Sequence, residues 1–293
     1  MMKWKIDNQF KGMILRNYLH KELGISRNIL KAIKYDGGEI LINEKQVDVR
    51  YRLQGGETLT LKFPPEERSH YMQAEAIQLS VYFEDEHLLI INKPAGIVSM
   101  PTPHTPKGTI ANGVIAYYDE KELPYTVHIV TRLDKDTSGL MLIAKHRYSH
   151  SLLALAQQSD GIKRSYMAIV QGEIVEKKGT INRPIGRKEG SFIEREVTER
   201  GREAITHYEV IEEVNGLSVV KVELETGRTH QIRVHFASLG HPIVGDSLYG
   251  GKSNLIPRQA LHCHELSLLH PMTGERIHLR SDLPADMKAL LKK

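Results

Sequence analysis

Along the first 63 residues the apolar positions fall first at helical and then at strand spacing. Ile14, Leu15, Tyr18, Leu19 and Leu23 share one helical face, and Gly24 fits the left-handed residue that ends such a helix. Ser26 fits the N-cap of a second short helix carrying Ile29, Leu30 and Ile33. Residues 39–43 and 46–49 flank a tight turn, Gly55-Gly56 marks another, and 58–63 alternates polar and apolar like a half-buried strand. Pro64-Pro65-Glu66-Glu67-Arg68-Ser69 then breaks every period, because proline cannot join a ladder and these charges have nothing to bury. Residues 64–75 therefore read as a linker.

Beyond the linker the pattern is mainly that of strands. Segments 81–84, 88–92, 141–145, 166–171, 204–211, 217–224 and 261–268 are short, rich in β-branched or aromatic residues, and bounded by Gly, Pro or Asp. Helices are fewer: 148–158 carries Leu152, Leu153, Leu155 and Ala156 on one stripe, and Thr229 fits the cap of a helix running to Leu239 before Gly240. Runs of strands with segregated helices predict an α+β fold built on a largely antiparallel sheet. The expected organisation is a small αα-then-β domain at 1–63, the linker at 64–75 and a larger domain at 76–293.

Composition narrows the class. A chain of 293 residues, 40% hydrophobic, has material for one large core and one small one. Cys263 is the single cysteine, which rules out an internal disulfide and fits a reducing compartment. Residues 1–10 hold no apolar h-region and no apolar run approaches a membrane span, so the cytoplasm is the expected location. Charge is uneven: residues 1–63 hold 12 Lys or Arg against 7 Asp or Glu, a net of +5, which leaves −1 for the rest of a +4 chain. A basic module on a near-neutral body is what a polyanion-binding attachment looks like, although a solvated surface gives the same count.

Candidate chemistry centres on Val130-Thr131-Arg132-Leu133-Asp134-Lys135-Asp136-Thr137-Ser138-Gly139-Leu140, where a carboxylate stands between two cations at the mouth of a buried strand. Asp136, Thr137, Ser138 and Gly139 suit a charged turn, with Gly139 supplying a permissive φ. Asp134 could ligate a metal, act as a general base or attack an electrophile. A metal is disfavoured, since only Asp136 stands at ligand spacing and Arg132 and Lys135 would repel a cation. His262-Cys263-His264 imitates a metal cluster, yet strand alternation puts the two histidines on one face and the cysteine on the other, with no partner pair in the sequence.

The stretch Arg132-Leu133-Asp134-Lys135-Asp136-Thr137-Ser138-Gly139 closely resembles the signature R-L-D-x-x-T-S-G of the RluA/RluD-type pseudouridine synthases. Further segments match that family in order: Asn92-Lys93-Pro94-Ala95-Gly96, Lys163-Arg164-Ser165-Tyr166-Met167-Ala168, Thr226-Gly227-Arg228-Thr229-His230-Gln231-Ile232-Arg233-Val234-His235, and Leu239-Gly240-His241-Pro242-Ile243-Val244-Gly245-Asp246. The resemblance spans roughly residues 80 to 280 and implies a central mixed sheet crossed by the catalytic cleft. It implies that Asp134 is catalytic, breaking the N1–C1′ bond of a uridine so that the uracil rejoins through C5, with no cofactor. Whether Asp134 would attack C1′ or abstract a ribose proton stays open on sequence alone. Arg233 matches the basic partner of that Asp, Ile232 the residue packed beneath the target base, and Tyr166 the active-site tyrosine. Arg132 matches the arginine that fills the gap left by an extruded base, with a plain phosphate contact as its other reading. Lys93 could approach RNA phosphate, though its Pro and Gly neighbours mainly indicate a fixed turn. His230, His235 and His241 lie in the matched helix and loop, where packing or RNA contact suits them better than acid-base work. Two positions depart from the family: Thr131 and Met100 stand where histidine is common.

The αα-then-β plan of residues 1–63 resembles an S4 RNA-binding domain, on Ile25-Ser26-Arg27 and the turn around Asn43, with Leu15-Arg16-Asn17 replacing the usual Arg-Leu-Asp. That resemblance makes Arg16, Arg27, Lys31, Lys34 and Lys45 candidate phosphate contacts. Together the readings predict a monomeric RNA pseudouridine synthase acting on large-subunit ribosomal RNA, with tRNA as the other substrate to consider. Two competing classes are a non-catalytic S4-type RNA-binding or ribosome-assembly protein, which would form no pseudouridine, and a metal-dependent nuclease, which would cut strands and stop in EDTA.

Overall fold

Two apolar cores organise the chain, one at each side of the segment that follows Phe63. The computed structural model describes residues 1–69, 72–103, 105–252 and 254–292. His70 and Tyr71 of the expected linker, and Lys293 at the end of the expected larger domain, lie outside the described residues.

The first core is formed by β1 (Met2–Lys5), α1 (Leu15–Lys21), α2 (Arg27–Tyr35), β2 (Glu39–Ile42), β3 (Lys45–Gln46) and β4 (Thr58–Lys62). The strands make an antiparallel sheet in the order β1-β4-β2-β3. Period-two positions Ile40, Ile42, Leu59 and Leu61 meet the helical stripes Leu15, Tyr18, Leu19 and Ile29, Leu30, Ile33. Ser26 caps α2 as its sequence predicts, its hydroxyl accepting the Ile29 N–H at 3.3 Å. Asn43 and Glu44 both take positive φ, the twist that a two-residue hairpin between β2 and β3 requires. Strand β1 is the element the sequence pattern did not reveal, since its apolar residues are too few to show a period.

The second core fills a ten-stranded sheet. In chain order its elements, with the hairpin and helices that surround it, are β5 (Ser80–Glu84), β6 (Leu88–Lys93), α3 (Ile110–Glu120), β7 (His128–Ile129), β8 (Ser138–Ala144), α4 (Arg147–Gln158), β9 (Ile162–Gln171), β10 (Lys178–Asn182), β11 (Ile185–Arg187), β12 (Arg195–Val197), β13 (Ile205–Val214), β14 (Leu217–Leu224), α5 (Gln231–Ser238), β15 (Leu261–Leu269), β16 (Arg276–Arg280) and α6 (Ala285–Leu290). The main path runs β10-β13-β14-β9-β15-β8-β6-β5, with β16 beside β15 and β7 beside β8, while β11 and β12 form a separate hairpin. All pairs are antiparallel except β8 with β15. This is the α+β architecture with a mostly antiparallel mixed sheet that the strand pattern predicts.

The parallel pair lies mid-sheet, and one cross-strand row there reads Val222, Tyr166, Cys263, Gly139, Lys93. Gly139 has φ +118°, and a Cβ added there would lie 2.3 Å from the Cys263 carbonyl oxygen, so only glycine lets β8 approach β15. Helix α3 was missed by periodicity because it is buried nearly all round, with Ile110, Ala111, Asn112, Gly113, Val114, Ile115 and Tyr118 inside, and shows no polar face in its first two turns. Its start is a capping box between Thr109 and Asn112. The predicted Thr229 cap is corrected: His230, in a left-handed conformation, precedes α5, and no side chain caps the helix. Among the described residues no helix is long and apolar enough to cross a membrane.

The segment after Phe63 is irregular but not loose. Arg68 donates to the Tyr125 carbonyl at 2.9 Å and pairs with Asp119, while Glu66 pairs with His128 at 2.7 Å and accepts the Arg147 N–H at 2.8 Å. The expectation that these charges have nothing to bury against therefore fails, because their partners lie more than 50 residues away in sequence. The two cores also meet directly. Tyr148 of α4 is 3% exposed, stacks on Phe63, meets Trp4 edge-on, and donates to the Leu23 carbonyl at 2.6 Å.

Candidate active site

The loop entering β8 is fixed at several points before its carboxylate is presented. Thr131, 1% exposed, accepts the Leu142 N–H on Oγ1 at 2.9 Å, so the residue replacing the family's histidine works as a strand clasp. Ser99 donates to the Leu133 carbonyl at 2.7 Å, and the Thr137 N–H closes a turn on the Asp134 carbonyl at 3.1 Å. Lys93 is fully buried and donates to the carbonyls of Pro94 and Lys135, each at 2.8 Å. That corrects the phosphate reading of Lys93: an ammonium with no exposed surface cannot meet RNA, and it ties the 93–96 turn to the Asp134 loop instead. Burial pushes Lys93 down to about 8, against the pull of Asp136 and Asp134.

Asp134 emerges from this frame with its side chain 29% exposed. Its Oδ2 lies 3.1 Å from Arg233 Nη1, projected from the first turns of α5. The remaining edge of that guanidinium is held by Asp246, with Nε to Oδ2 at 2.7 Å and Nη2 to Oδ1 at 2.9 Å. Arg233 and Asp246 are 8% and 1% exposed, so this is a buried, bidentate pair. Burial works against the Arg233 charge, but hydrogen bonds and charge from Asp246, and then from Asp134, outweigh it and raise its pKa. An arginine held on both sides presents a fixed positive edge to Asp134 and keeps that carboxylate paired.

Tyr166, on β9, is 4% exposed and its hydroxyl accepts from Arg164 Nη1 at 3.0 Å. Burial raises the pKa of this phenol, which therefore keeps its proton. A cleft of about 550 Å³ gathers Arg132, Asp134, Tyr166, Ile232 and Arg233 on its wall, five candidates scattered over a hundred residues of sequence. Arg132 is exposed, while Ile232 is 4% exposed at the floor. The N-terminal candidates Arg16, Arg27, Lys31, Lys34 and Lys45 are exposed on the other module and do not line this cleft.

Several residues of the site escaped the sequence reading. Arg164 and Asp246 stand inside the matched segments but carry no local signal of partnership, because each is defined by a contact made only after folding. His230 also lines the cleft, with Nε2 3.8 Å from Asp134 Oδ2. His235 and His241 are packing residues: His235 bonds Thr206 Oγ1 at 2.8 Å and the Arg183 carbonyl at 2.9 Å, and His241 bonds the Gln171 carbonyl at 2.9 Å. His262 is a buried strut between Ser138 and Ser281, pushed down to about 4 by burial. Among the described residues no group of three or more His, Cys, Asp or Glu is arranged to hold a metal ion.

Comparison with known proteins identifies the family. The profile of the family described as RNA pseudouridylate synthase matches residues 87–238. The uncharacterized RNA pseudouridine synthase YjbO of Bacillus subtilis (strain 168) is 48% identical over 271 residues, covering 92% of this chain and 96% of its own. Ribosomal large subunit pseudouridine synthase D of Nitrosomonas europaea is 39% identical over 262 residues, 86% of this chain and 76% of its own. Among solved structures, human RNA Pseudouridylate Synthase Domain Containing 1 has the same fold, with a TM-score of 0.59 at 24% identity over 71% of this chain and 85% of that one. With a family match over just over half its length and a relative 48% identical across 92% of it, the chain belongs to the RNA pseudouridylate synthase family, isomerases that convert uridine in RNA to pseudouridine.

Proposed function

We propose that Asp134 is the reacting carboxylate, that Arg233 pairs with it, and that Tyr166 and Ile232 bracket the target uracil. The observation that carries this reading is the 3.1 Å contact between Asp134 Oδ2 and Arg233 Nη1 at the wall of the cleft that also contains Tyr166. A carboxylate paired on one oxygen keeps the other for chemistry at the ribose. The isomerisation breaks C1′–N1, turns the uracil, forms C1′–C5, moves the C5 proton to solvent and returns a proton to N1, so no atom is gained or lost. The Tyr166 ring offers a stacking face for the detached base and its hydroxyl a donor. Arg132, exposed and charged at the rim, suits the space vacated when a uridine is unstacked.

The substrate we infer is large-subunit ribosomal RNA, on the name carried by the Nitrosomonas europaea relative. Mapping pseudouridines after the purified protein is given ribosomal RNA and tRNA from cells lacking it tests this. New sites in the ribosomal RNA alone support it, and new sites in tRNA alone reassign the substrate. A monomer acting in the cytoplasm, without cofactor, completes the reading.

Residues 1–63 we take as an S4-like RNA-binding domain and 76–293 as the catalytic domain. Support comes from the separate apolar cores and from Arg16, Arg27, Lys31, Lys34 and Lys45, all exposed and none paired with a carboxylate among the described residues. Replacing Arg27, Lys31 and Lys34 together with Ala should weaken RNA binding and flatten the slope of log Kd against log salt by about 2 to 3, since each lost phosphate contact removes roughly 0.7 to 0.9. Single-turnover rates at saturating enzyme should stay within about threefold, a barrier change of roughly 0.7 kcal/mol. An unchanged salt slope would deny the module its RNA role. Point substitutions are preferred to deleting residues 1–67, which would uncover Tyr148 and so mix folding with binding.

A further inference from the structure

His230 is the point at which the Asp134 loop, α5 and the β11–β12 hairpin converge. Its backbone is left-handed, φ 58° and ψ 19°, a conformation that glycine or asparagine adopts with less strain. It precedes α5 yet makes no side-chain capping bond. The ring turns inward instead, 13% exposed, and Nδ1 lies 2.8 Å from the Tyr249 hydroxyl. That hydroxyl already accepts the backbone N–H of Arg195, on β12, at 2.9 Å. The Arg195 amide only donates, which leaves the Tyr249 proton available to His230 Nδ1, and in the tautomer that accepts it the ring's own proton resides on Nε2.

Nε2 faces Asp134 Oδ2 at 3.8 Å, the oxygen that Arg233 Nη1 also reaches. Among the described residues no hydrogen bond reaches Oδ1 of Asp134. The 3.8 Å gap is about 1 Å longer than a hydrogen bond, a distance that a small turn of the carboxylate closes. Tyr249 serves both donors, since its ring also lies beneath the Arg233 guanidinium, 5.0 Å from its centre. The charged and titratable groups around the imidazole are Asp134 on the loop before β8, Arg233 on α5, Asp246 and Tyr249 on the 3-10 turn region at 246–249, and Arg195 on β12. Burial lowers the pKa of the ring despite the nearby carboxylates, which keeps it neutral near pH 7.

We propose that His230 is a positioning residue for Asp134: its Nε2–H, fixed there by Tyr249, closes onto Oδ2 as RNA seats, so that His230 and Arg233 together hold one oxygen and aim Oδ1 at the ribose. The proposal rests on Asp134 being the reacting carboxylate. The Arg195–Tyr249 bond ties the hydroxyl that orients His230 to the β11–β12 hairpin.

Two substitutions separate the donor from the scaffold. Asparagine tolerates the left-handed backbone and can still meet Tyr249, but its amide stops short of the Nε2 position; glutamine reaches that position. His230→Asn should therefore fold, bind RNA with unchanged Kd and lose about 30-fold or more in single-turnover rate at saturating RNA, with His230→Gln recovering most of that loss. Tyr249→Phe removes the bond that keeps the ring's proton on Nε2, so its single-turnover rate at saturating RNA should fall by about threefold or more at unchanged RNA Kd. Equal rates for the Asn and Gln variants, or a Tyr249→Phe rate equal to wild type, would overturn the proposal. Asp134→Asn run alongside keeps the failures apart: activity in that variant removes the catalytic reading, whereas its inactivity beside unaffected His230 variants removes this inference alone.

Discussion

Asp134→Asn is expected to fold, bind RNA and form no pseudouridine, with a rate loss of about 10⁴-fold or more, roughly 5.5 kcal/mol in the barrier. The amide keeps the shape and can still face Arg233, but it carries no charge to attack or to take a proton. Folding should be nearly untouched, because Arg233 remains paired with Asp246 and because a partly exposed ion pair contributes at most about 1 kcal/mol. RNA affinity should not fall, since removing a negative charge from a surface that faces phosphates adds no repulsion. Single-turnover assays on freshly prepared variant, checked by mass for deamidation, decide the matter. Product above about 1% of the wild-type rate, a loss of less than roughly 2.7 kcal/mol, would remove Asp134 from the chemistry.

Asp246→Asn should have the largest effect on stability. Asp246 is 1% exposed and takes two hydrogen bonds from Arg233, so its loss leaves a buried guanidinium with one partly exposed partner. Stranding a buried charge in this way costs about 3–5 kcal/mol. For a body of this size that lowers Tm by on the order of 10 °C. Activity should fall as well, because Arg233 is free to swing fully onto Asp134 and the direction of the carboxylate is lost. Thermal melting with parallel single-turnover rates tests both, and a Tm within about 2 °C of wild type would show that the pair is not the keystone of the site.

These two residues also show what the sequence could carry. Asp134 is legible because its neighbours announce it: two cations, a turn and a buried strand lie within eleven consecutive residues. Tyr166, Ile232 and Arg233 become legible only through resemblance, since a tyrosine in a strand and an arginine on a helix have ordinary structural readings. Asp246 stood within a matched segment without a role, because its partner Arg233 is fixed by a turn of chain that no local period encodes. Lys93 was read mainly as part of a fixed turn, with phosphate contact as the alternative, and His230 as a packing or RNA-contact residue. Burial leaves Lys93 the turn reading alone, and a left-handed backbone that turns the ring inward gives His230 a place in the cleft. Strands such as 88–92 and 141–145 were legible as short apolar runs bounded by turn residues, and α3 was not, because a helix buried nearly all round shows no polar face in its first two turns.

The most direct test of the account follows hydrogen at C5 of uracil. RNA labelled with tritium at that carbon, taken from cells lacking this protein, is incubated with the purified enzyme both with and without excess EDTA. The account predicts release of tritium to water, since forming C1′–C5 must expel that hydrogen, with strand lengths unchanged. No release from any RNA, or strand scission that EDTA abolishes, would contradict it.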